Sequence, residues 1–200
     1  MGKIICMLGK SASGKDTLYK GLLEDGSLQL LPYVTCTTRP IRKGEQDGRE
    51  YYFHTVQELR RMEEEGKVIE CRTYQTAEGP WHYFTADDGR IDLSRHSYLL
   101  IGTLESYQKV RDYFGAEKVV PVYIEVEDGE RLQRALDREK QQKEPCYREL
   151  CRRFLADEED FSEENLEKAG IRKRFRNQNE LECLDQIKEY LGGVVDHDRL

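Results

Sequence analysis

Long apolar runs are missing from this sequence. It contains no stretch of about 18 consecutive apolar residues, so we predict no transmembrane helix. Positive charge is also in deficit, because 32 lysines and arginines stand against 39 aspartates and glutamates, for a net charge of −7. A general nucleic-acid binder usually carries the opposite sign. We therefore expect no nucleic-acid partner and interpret basic clusters as local anion sites.

The cysteines and histidines lack the spacings of metal sites and disulfide frameworks. None of the six cysteines forms a CxxC pair, and none of the four histidines belongs to an HExxH pattern. We predict free thiols in a reducing cytoplasm, and no metal site built from protein ligands alone. Residues 1–8 are too short for a signal peptide before the first glycine-rich motif begins.

What the sequence does have is an alternation of strand-like and helical segments. Apolar runs predict buried strands at 3–8, 98–101 and 119–126, and further strands are expected at 32–37, 67–73, 81–85 and 171–175. Helical spacing predicts a helix after residue 17 and another that begins with a capping box at 55–58. Further helices are predicted at 104–115, from 128, around 150–155 and at 181–191, and the last of these is expected to end at Gly192-Gly193. We expect residues 138–149, which are almost entirely polar, to be mobile. This order predicts an α/β fold with a central parallel sheet flanked by helices.

Residues 9–17, Gly-Lys-Ser-Ala-Ser-Gly-Lys-Asp-Thr, follow the first strand and open a helix with GxxxxGK spacing. Successive backbone N–H groups in such a loop can surround phosphate oxygens, and the helix N-terminus adds a favourable dipole. We predict a P-loop for ATP, with Lys15 on the outer phosphates. The candidate ATP-binding residues are Gly9, Ser11, Ser13, Gly14, Lys15, Asp16 and Thr17.

Asp16 departs from the usual motif, in which a hydroxyl follows the lysine and binds Mg²⁺. A carboxylate is also a good Mg²⁺ ligand. One hypothesis is that Asp16, with Thr17 nearby, holds the ion. The alternative is that Asp16 merely favours the positive end of the helix.

A second basic motif lies in residues 35–53, where Arg39 and Arg42 are three positions apart and Pro40 stiffens the chain between them. Two guanidinium groups can fork onto one phosphate, and Tyr51 can add a hydroxyl to it. The alternative is a solvated loop with ordinary charges.

With the P-loop, the pattern TTRxxRxGExxGxxYxF at 37–53 resembles the guanylate kinase family over roughly residues 3–191. The resemblance implies a P-loop NTPase fold with a small mixed α/β NMP-binding subdomain and a lid. It also implies transfer of a phosphoryl group from ATP to GMP, and to dGMP, with Mg²⁺. The matching residues toward GMP are Thr35, Arg39, Arg42, Glu45, Tyr51, Glu70 and Tyr83. A carboxylate at Glu70 can accept from the N1–H and 2-amino edge of guanine, which adenine lacks.

The chain departs from the family at the end of its second buried strand. Two acids are usual there, whereas Ile101 and Thr103 stand in their places. Thr103 keeps a possible hydrogen bond to the acceptor base. Loss of the acids leaves base selectivity open and gives Asp16 a larger part in the Mg²⁺ hypothesis.

Arginines also recur on the donor side. Arg131, Arg134 and Arg138 have helical spacing, and the resemblance matches lid arginines to Arg134, Arg138 and Arg153 and an adenine-side residue to Asn177. Phosphoryl transfer needs positive charge and positioning rather than a general base, so Lys15, Arg39, Arg138 and Arg153 are the catalytic candidates. The alternative for the arginines is a salt-bridged helix face. The implied divisions are a P-loop core at 1–34, 86–137 and 154–200, an acceptor subdomain at 35–85 and a lid at 138–153.

Two other functions remain open at this point. One is a kinase for another nucleoside monophosphate. The other is a non-catalytic guanylate-kinase-like module that binds proteins, although such modules typically lack a working P-loop. The sequence predicts no membrane partner and leaves monomer and homodimer open.

Overall fold

The computed structural model describes residues 2–76 and 79–196 of the chain. Within them, a parallel five-stranded sheet has the order β2-β7-β1-β8-β9. Its strands are β1 (Ile4–Leu8), β2 (Leu30–Pro32), β7 (Ser97–Ile101), β8 (Val119–Glu125) and β9 (Arg174–Arg176). The predicted α/β fold with a central parallel sheet is confirmed.

A second, four-stranded sheet has the order β4-β3-β6-β5 and mixed strand directions. Its strands are β3 (Cys36–Thr37), β4 (Tyr52–Phe53), β5 (Val68–Thr76) and β6 (Gly79–Ala86). The helices are α1 (Lys15–Asp25), α2 (Val56–Glu64), α3 (Leu104–Phe114), α4 (Asp128–Lys140), α5 (Tyr147–Asp160), α6 (Glu163–Lys168) and α7 (Glu180–Asp196).

Alternation along β1 divides the core into two layers. Ile4, Cys6 and Leu8 face a cluster that includes residues of α3 and α6. Ile5 and Met7 face a cluster that includes residues of α1 and α7. Every β1 side chain is buried because successive residues of a strand point to opposite faces and helices cover both.

The capping box predicted for α2 is confirmed. Thr55 accepts a hydrogen bond from the Glu58 N–H, and the Glu58 carboxylate accepts one from the Thr55 N–H. Leu59 and Met62 bury the inner side of α2 against Phe84 of the second sheet.

The single strand predicted at 32–37 is wrong, since these residues belong to two strands in different sheets. The chain leaves the large sheet after Pro32 and enters the small one at Cys36. Long-range hydrogen bonds hold the crossing: the Tyr33 N–H donates to Leu99 O and the Tyr33 hydroxyl to Ala86 O.

Three further boundaries differ from the sequence-based prediction. The helix expected to end at Gly192-Gly193 continues to Asp196, because Val194 packs on the core beyond the glycines. The strand expected at 171–175 lies at Arg174–Arg176, since the Ile171 N–H instead bonds Leu166 O at the end of α6. The polar segment 138–149 is partly helical, because α4 runs through Lys140 and α5 begins at Tyr147.

All six cysteines are free thiols, as predicted. Within the described part of the chain, no helix has the length and apolar character needed to cross a membrane.

Candidate active site

The P-loop connects β1 to α1 and is shaped by glycine. Gly14 has φ of 82°, a left-handed conformation that L side chains rarely adopt. A Cβ at this position would also collide with the side-chain amide of Asn177. Gly9, directly after β1, likewise has a positive φ. The loop is thus held in a conformation that turns its backbone from the strand into the N-terminus of α1.

Asn177 holds the P-loop through a side-chain hydrogen bond to its backbone. Its side-chain Nδ2 donates to the Ser13 carbonyl oxygen at 2.9 Å, and its own carbonyl accepts from Arg134 Nη2 at 3.0 Å. Arg134 is also paired with Glu130 at 2.5 Å. Among the described residues, the buried Ser13 hydroxyl has no hydrogen-bond partner. An orphaned hydroxyl inside the loop is available to a bound oxygen.

Lys15, at the start of α1, lies near charged groups of both signs. Burial lowers the pKa of its ammonium group from the ordinary value, and the neighbouring charge of Arg138 adds to that effect. The carboxylates of Asp16 and Asp157 oppose it. A phosphate placed here would favour the charged form of Lys15.

An ionic cluster that sequence reasoning missed lies beside the P-loop. The Asp157 carboxylate accepts from the Ser11 N–H at 2.7 Å, so an anion already occupies one loop donor. Arg131, 1% exposed, pairs with Asp157 at 3.3 Å, with Glu158 at 2.7 Å and with Asp128 at 3.0 Å. Lys10 of the loop joins the same carboxylates of Glu158 and Asp128, at 2.6 and 3.4 Å. The helical spacing of Arg131 indicated that it lies on one face of α4 with other arginines. Spacing within α4 could not predict its partners Asp157 and Glu158, which belong to α5.

A cavity of about 330 Å³ opens between the P-loop, α4 and α5. Ser11, Arg131, Arg138 and Arg153 are among the residues that line it. Arg153 donates from Nε to Glu149 at 2.9 Å. Two of the predicted catalytic arginines therefore share one cavity with the P-loop, whereas Arg134 is turned toward Asn177.

Asp16 and Thr17 occupy the first turn of α1 and are exposed. The N-cap residue of this helix is Gly14, which has no side chain to accept a hydrogen bond from the first N–H groups of α1. Across the described ranges, no group of three or more histidine, cysteine or acidic side chains could hold a metal ion. One carboxylate and one hydroxyl fit an ion that takes its remaining ligands from phosphate and water, as Mg²⁺ usually does.

In the 35–53 segment, Arg39 and Glu45 form a fork. Arg39 Nη1 and Nη2 lie 2.7 and 2.6 Å from the two carboxylate oxygens of Glu45, and Arg39 is 4% exposed. The Arg42 N–H also donates to Glu45, at 2.8 Å, while the Arg42 residue itself is exposed. These hydrogen bonds, chiefly that of Arg39, lower the pKa of Glu45 to about 2. Glu45 therefore orients the Arg39 guanidinium and holds the backbone at Arg42.

Tyrosine rings surround this arginine. The Arg39 guanidinium lies 5.1 Å from the Tyr51 ring centroid, and the Tyr51 ring is 5.7 Å from Tyr83 in an edge-on arrangement. Tyr74, which the sequence reasoning did not select, packs edge-on against Tyr83 at 5.6 Å. The Thr35 carbonyl accepts the Tyr52 N–H and joins the segment's two ends. The predicted arginine and tyrosines are thus brought together.

Glu70 lies on the same small sheet with its carboxylate already engaged. The Thr85 hydroxyl donates to Oε1 at 2.7 Å, and Arg72 Nε donates to Oε2 at 3.1 Å. Burial raises the pKa of the Cys6 thiol on β1, and the nearby Glu70 charge adds to that effect. Ile69, next to Glu70, packs against the core cluster that contains Cys6, so Glu70 lies where the small sheet meets the central sheet. Neither Arg72 nor Thr85 was selected from the sequence.

A second cavity, of about 570 Å³, lies between β5 and the helices α3 and α6. Its lining includes Arg72, Tyr74, Thr103, Glu105, Asp160 and Asn165. Thr103 is the N-cap of α3, and its hydroxyl accepts the Ser106 N–H at 3.2 Å. The sequence placed Thr103 beside an acceptor base, and the structure places it on this cavity.

Comparisons with known proteins point to one family. A family model described as guanylate kinase matches residues 1–163. The guanylate kinase of Porphyromonas gingivalis is 28% identical over 205 aligned positions, which cover 98% of this chain and 99% of that relative. The guanylate kinase of Aromatoleum aromaticum is 43% identical over 70 residues, about a third of each chain.

Solved structures agree on the fold. The crystal structure of guanylate kinase from Anaplasma phagocytophilum superposes with a TM-score of 0.67, covering 97% of this chain and 86% of that one. At 22% identity this likeness concerns the fold alone.

Proposed function

Because this chain belongs to the guanylate kinase family, we propose that it transfers the terminal phosphoryl group of ATP to GMP. The observation that carries the proposal is the pairing of two anion sites in one fold. One is the P-loop with Lys15 and the arginine-lined cavity beside it. The other is the Arg39–Glu45 fork with its two tyrosines. A nucleotide kinase needs one phosphate site for the donor and one for the acceptor.

The reaction itself requires little covalent help from the protein. An oxygen of the acceptor phosphate attacks the γ-phosphorus, and the bond from that phosphorus to the β–γ bridging oxygen breaks to release ADP. The attacking oxygen is already anionic, so no general base is needed. Lys15, Arg138 and Arg153 supply positive charge where charge shifts during transfer.

The acceptor is positioned by the small sheet in this proposal. Arg39, Arg42, Tyr51 and Tyr83 bind its phosphate, and Glu45 orients the Arg39 guanidinium and holds the Arg42 backbone. Toward the base, the proposed residues are Glu70, Thr103 and Thr35. Residues 35–85 form the acceptor-binding unit, residues 138–153 form the lid, and the remaining ranges form the P-loop core.

The donor binds through the P-loop residues 9–17, with Arg134 and Asn177 behind the loop. Mg²⁺ would neutralise phosphate charge when bound, and Asp16 with Thr17 would hold it. Asp16→Ala is expected to raise the Mg²⁺ concentration needed for half-maximal activity by about tenfold. Unchanged Mg²⁺ dependence would reduce Asp16 to a helix-end charge. The six free thiols fit a reducing compartment, and we place the enzyme in the cytoplasm.

The proposal is tested by following ADP formation from ATP and Mg²⁺ over a panel of nucleoside monophosphates. GMP and dGMP are expected to be phosphorylated, and Lys15→Ala to lower kcat by at least about a hundredfold. Lys20→Ala, an exposed lysine on the same helix, is the matched control and is expected to leave the rate unchanged. Inactivity with GMP alongside activity with a pyrimidine or adenine monophosphate contradicts the proposal.

A further inference from the structure

Arg72 stands between the buried Glu70 carboxylate and the 570 Å³ cavity. The Glu70 side chain is 4% exposed, whereas that of Arg72 is 26% exposed and lines the cavity. Arg72 Nε lies 3.1 Å from Glu70 Oε2, and Nη2 lies 3.5 Å from Oε1. A base that enters the cavity therefore meets the Arg72 guanidinium at the wall, with the Glu70 carboxylate held against that guanidinium.

The hydrogen-bonding capacity of this pair is partly used. Thr85 donates to Oε1, Arg72 Nε to Oε2 and Arg72 Nη2 more weakly to Oε1, which leaves one of the roughly four acceptor positions of the carboxylate for a further N–H. An arginine side chain carries five N–H donors, and those that do not face Glu70 remain for a ligand. Side by side, the pair thus presents an acceptor next to a donor.

We propose, on the basis of the proposed function, that Arg72 and Glu70 together recognise the N1–H and 6-oxo groups of a 6-oxopurine base. Glu70 accepts the N1–H of the base, and Arg72 donates to its O6. Adenine reverses both groups, because its N1 is an acceptor and its 6-amino group is a donor. It is therefore rejected at two positions, where the buried Glu70 and the half-buried Arg72 lose their partners.

The 2-amino group, which separates guanine from hypoxanthine, finds no matching carboxylate at the end of β7. Ile101 and Thr103 stand there, and the Thr103 hydroxyl already caps α3. The cavity's own carboxylates, Glu105 and Asp160, belong to exposed residues. A hydrogen bond to either exchanges for one with water and discriminates little. The substrate class that follows is 6-oxopurine nucleoside monophosphates, with the 6-oxo group selected and the 2-amino group tolerated.

The unmodified enzyme gives the first test. We measure kcat/KM with saturating ATP and Mg²⁺ for GMP, inosine 5′-monophosphate and AMP. The inosine nucleotide is expected within about a hundredfold of GMP, and AMP more than a hundredfold below both. A site that hydrogen-bonds a group rejects an analogue lacking it by about 10⁴-fold. An inosine nucleotide more than a hundredfold below GMP therefore overturns the inference.

Variants of Arg72 give the second test. Arg72→Ala is expected to lower kcat/KM for GMP and for the inosine nucleotide by fivefold or more each, with the KM for ATP unchanged. Arg72→Lys, which keeps the charge without the planar fork, is expected to fall between the two. The matched control is Arg60→Ala, an exposed arginine on α2. A folded Arg72→Ala enzyme that loses less than fivefold overturns the role of Arg72, and if this variant does not fold, the unmodified panel decides.

The two levels of proposal fail in different ways. Turnover of GMP without turnover of the inosine nucleotide contradicts the proposed recognition of the base through its N1–H and 6-oxo groups and leaves the guanylate kinase proposal intact. Absence of turnover with every monophosphate, in a folded enzyme that binds ATP, contradicts the proposed function itself.

Discussion

At the scale of single residues, the proposed acceptor site depends on a carboxylate that orients an arginine side chain. Arg39 is nearly inaccessible to solvent, yet both of its terminal nitrogens are bonded to Glu45. Bidentate, charge-assisted pairs of this kind restrict geometry as well as contributing energy. Glu45 thus determines where the Arg39 guanidinium can meet a phosphate.

The low pKa of Glu45 predicts how this pair responds to acid. Hydrogen bonding to Arg39 lowers the pKa of Glu45 from 4.5 to about 2 in the folded protein. A carboxyl group with a depressed folded pKa contributes stability above its unfolded pKa and loses it as the pH falls through the folded pKa. We expect the difference in unfolding free energy between wild type and Glu45→Gln to be constant above pH about 5 and to shrink toward pH about 2.

The measurement is urea denaturation of both proteins across this pH range. Glu64→Gln, which changes an exposed carboxylate on α2, is the comparison. A difference that stays unchanged down to pH about 2 contradicts the assignment of the stabilising charge to Glu45.

At the scale of elements, helix ends are decided by a few hydrogen bonds. The α2 helix is short and begins with a complete capping box, which satisfies N–H groups that have no intrahelical partner. This helix covers one side of the small sheet through Leu59 and Met62. Its cap therefore bears on the stability of the proposed acceptor unit without touching a ligand.

Removal of the cap is expected to destabilise the protein without altering chemistry. Thr55→Ala should lower the free energy of unfolding by about 1 kcal/mol, because the Glu58 N–H loses its acceptor. Thr55→Ser keeps the hydroxyl and should retain most of that stability. Denaturant titration checks both, and kcat measured well below the unfolding transition should match wild type. Equal stability of the alanine and serine variants would contradict the capping role.

The α4–α5 contact rests on a buried charge. Arg131 is paired with three carboxylates and its guanidinium lies 4.1 Å from the Phe154 ring centroid. Arg131→Ala is expected to destabilise the fold by about 2 kcal/mol, because the largely buried Asp157 loses its charge partner and the guanidinium no longer packs on Phe154. Asp128 and Glu158 are half-exposed and stay paired with Lys10, so they add little to this loss. Arg152→Ala, on the exposed surface of α5, should leave the stability nearly unchanged. Thermal unfolding of the two variants checks this difference.

At the scale of the whole molecule, the two cavities lie on different parts of the fold, and each is lined by one cysteine. Cys71 lines the cavity beside β5, and Cys146 lines the cavity beside the P-loop. Cys151 is exposed and lines neither of these two. Burial raises the pKa of the Cys71 thiol and of the three buried thiols, Cys6, Cys36 and Cys183. The pKa of Cys36 and that of Cys183 rise to about 11.

Thiol labelling can therefore report which nucleotide fills which cavity. With iodoacetamide at pH about 8, we expect only the three exposed cysteines to react, since a buried thiol with a raised pKa carries little thiolate. GMP should slow the labelling of Cys71 and ATP that of Cys146, with Cys151 as the internal reference. Mass spectrometry of the labelled peptides gives the rates. Protection of Cys146 by GMP alone would contradict the assignment of donor and acceptor cavities.

Much of this protein is determined by contiguous sequence. The P-loop, the buried strands and the α2 capping box depend on neighbouring residues: a glycine with positive φ, an apolar run, a hydroxyl three residues before a glutamate. The 35–53 segment likewise contains both Arg39 and its orienting partner Glu45. These features were predictable because their physical causes lie within a few residues of one another.

Tertiary structure alone decided the rest. Two of the three carboxylates that pair with Arg131 come from α5, 26 and 27 residues further along. The strand expected at 32–37 divides because its two ends pair with different sheets. The helix α7 continues beyond Gly192-Gly193 because Val194 packs against the core. Arg72 lies only two residues from Glu70, but its cavity is completed by Thr103 and Asp160 from other elements. Such contacts depend on how sheet topology brings distant segments together, which local propensity does not encode.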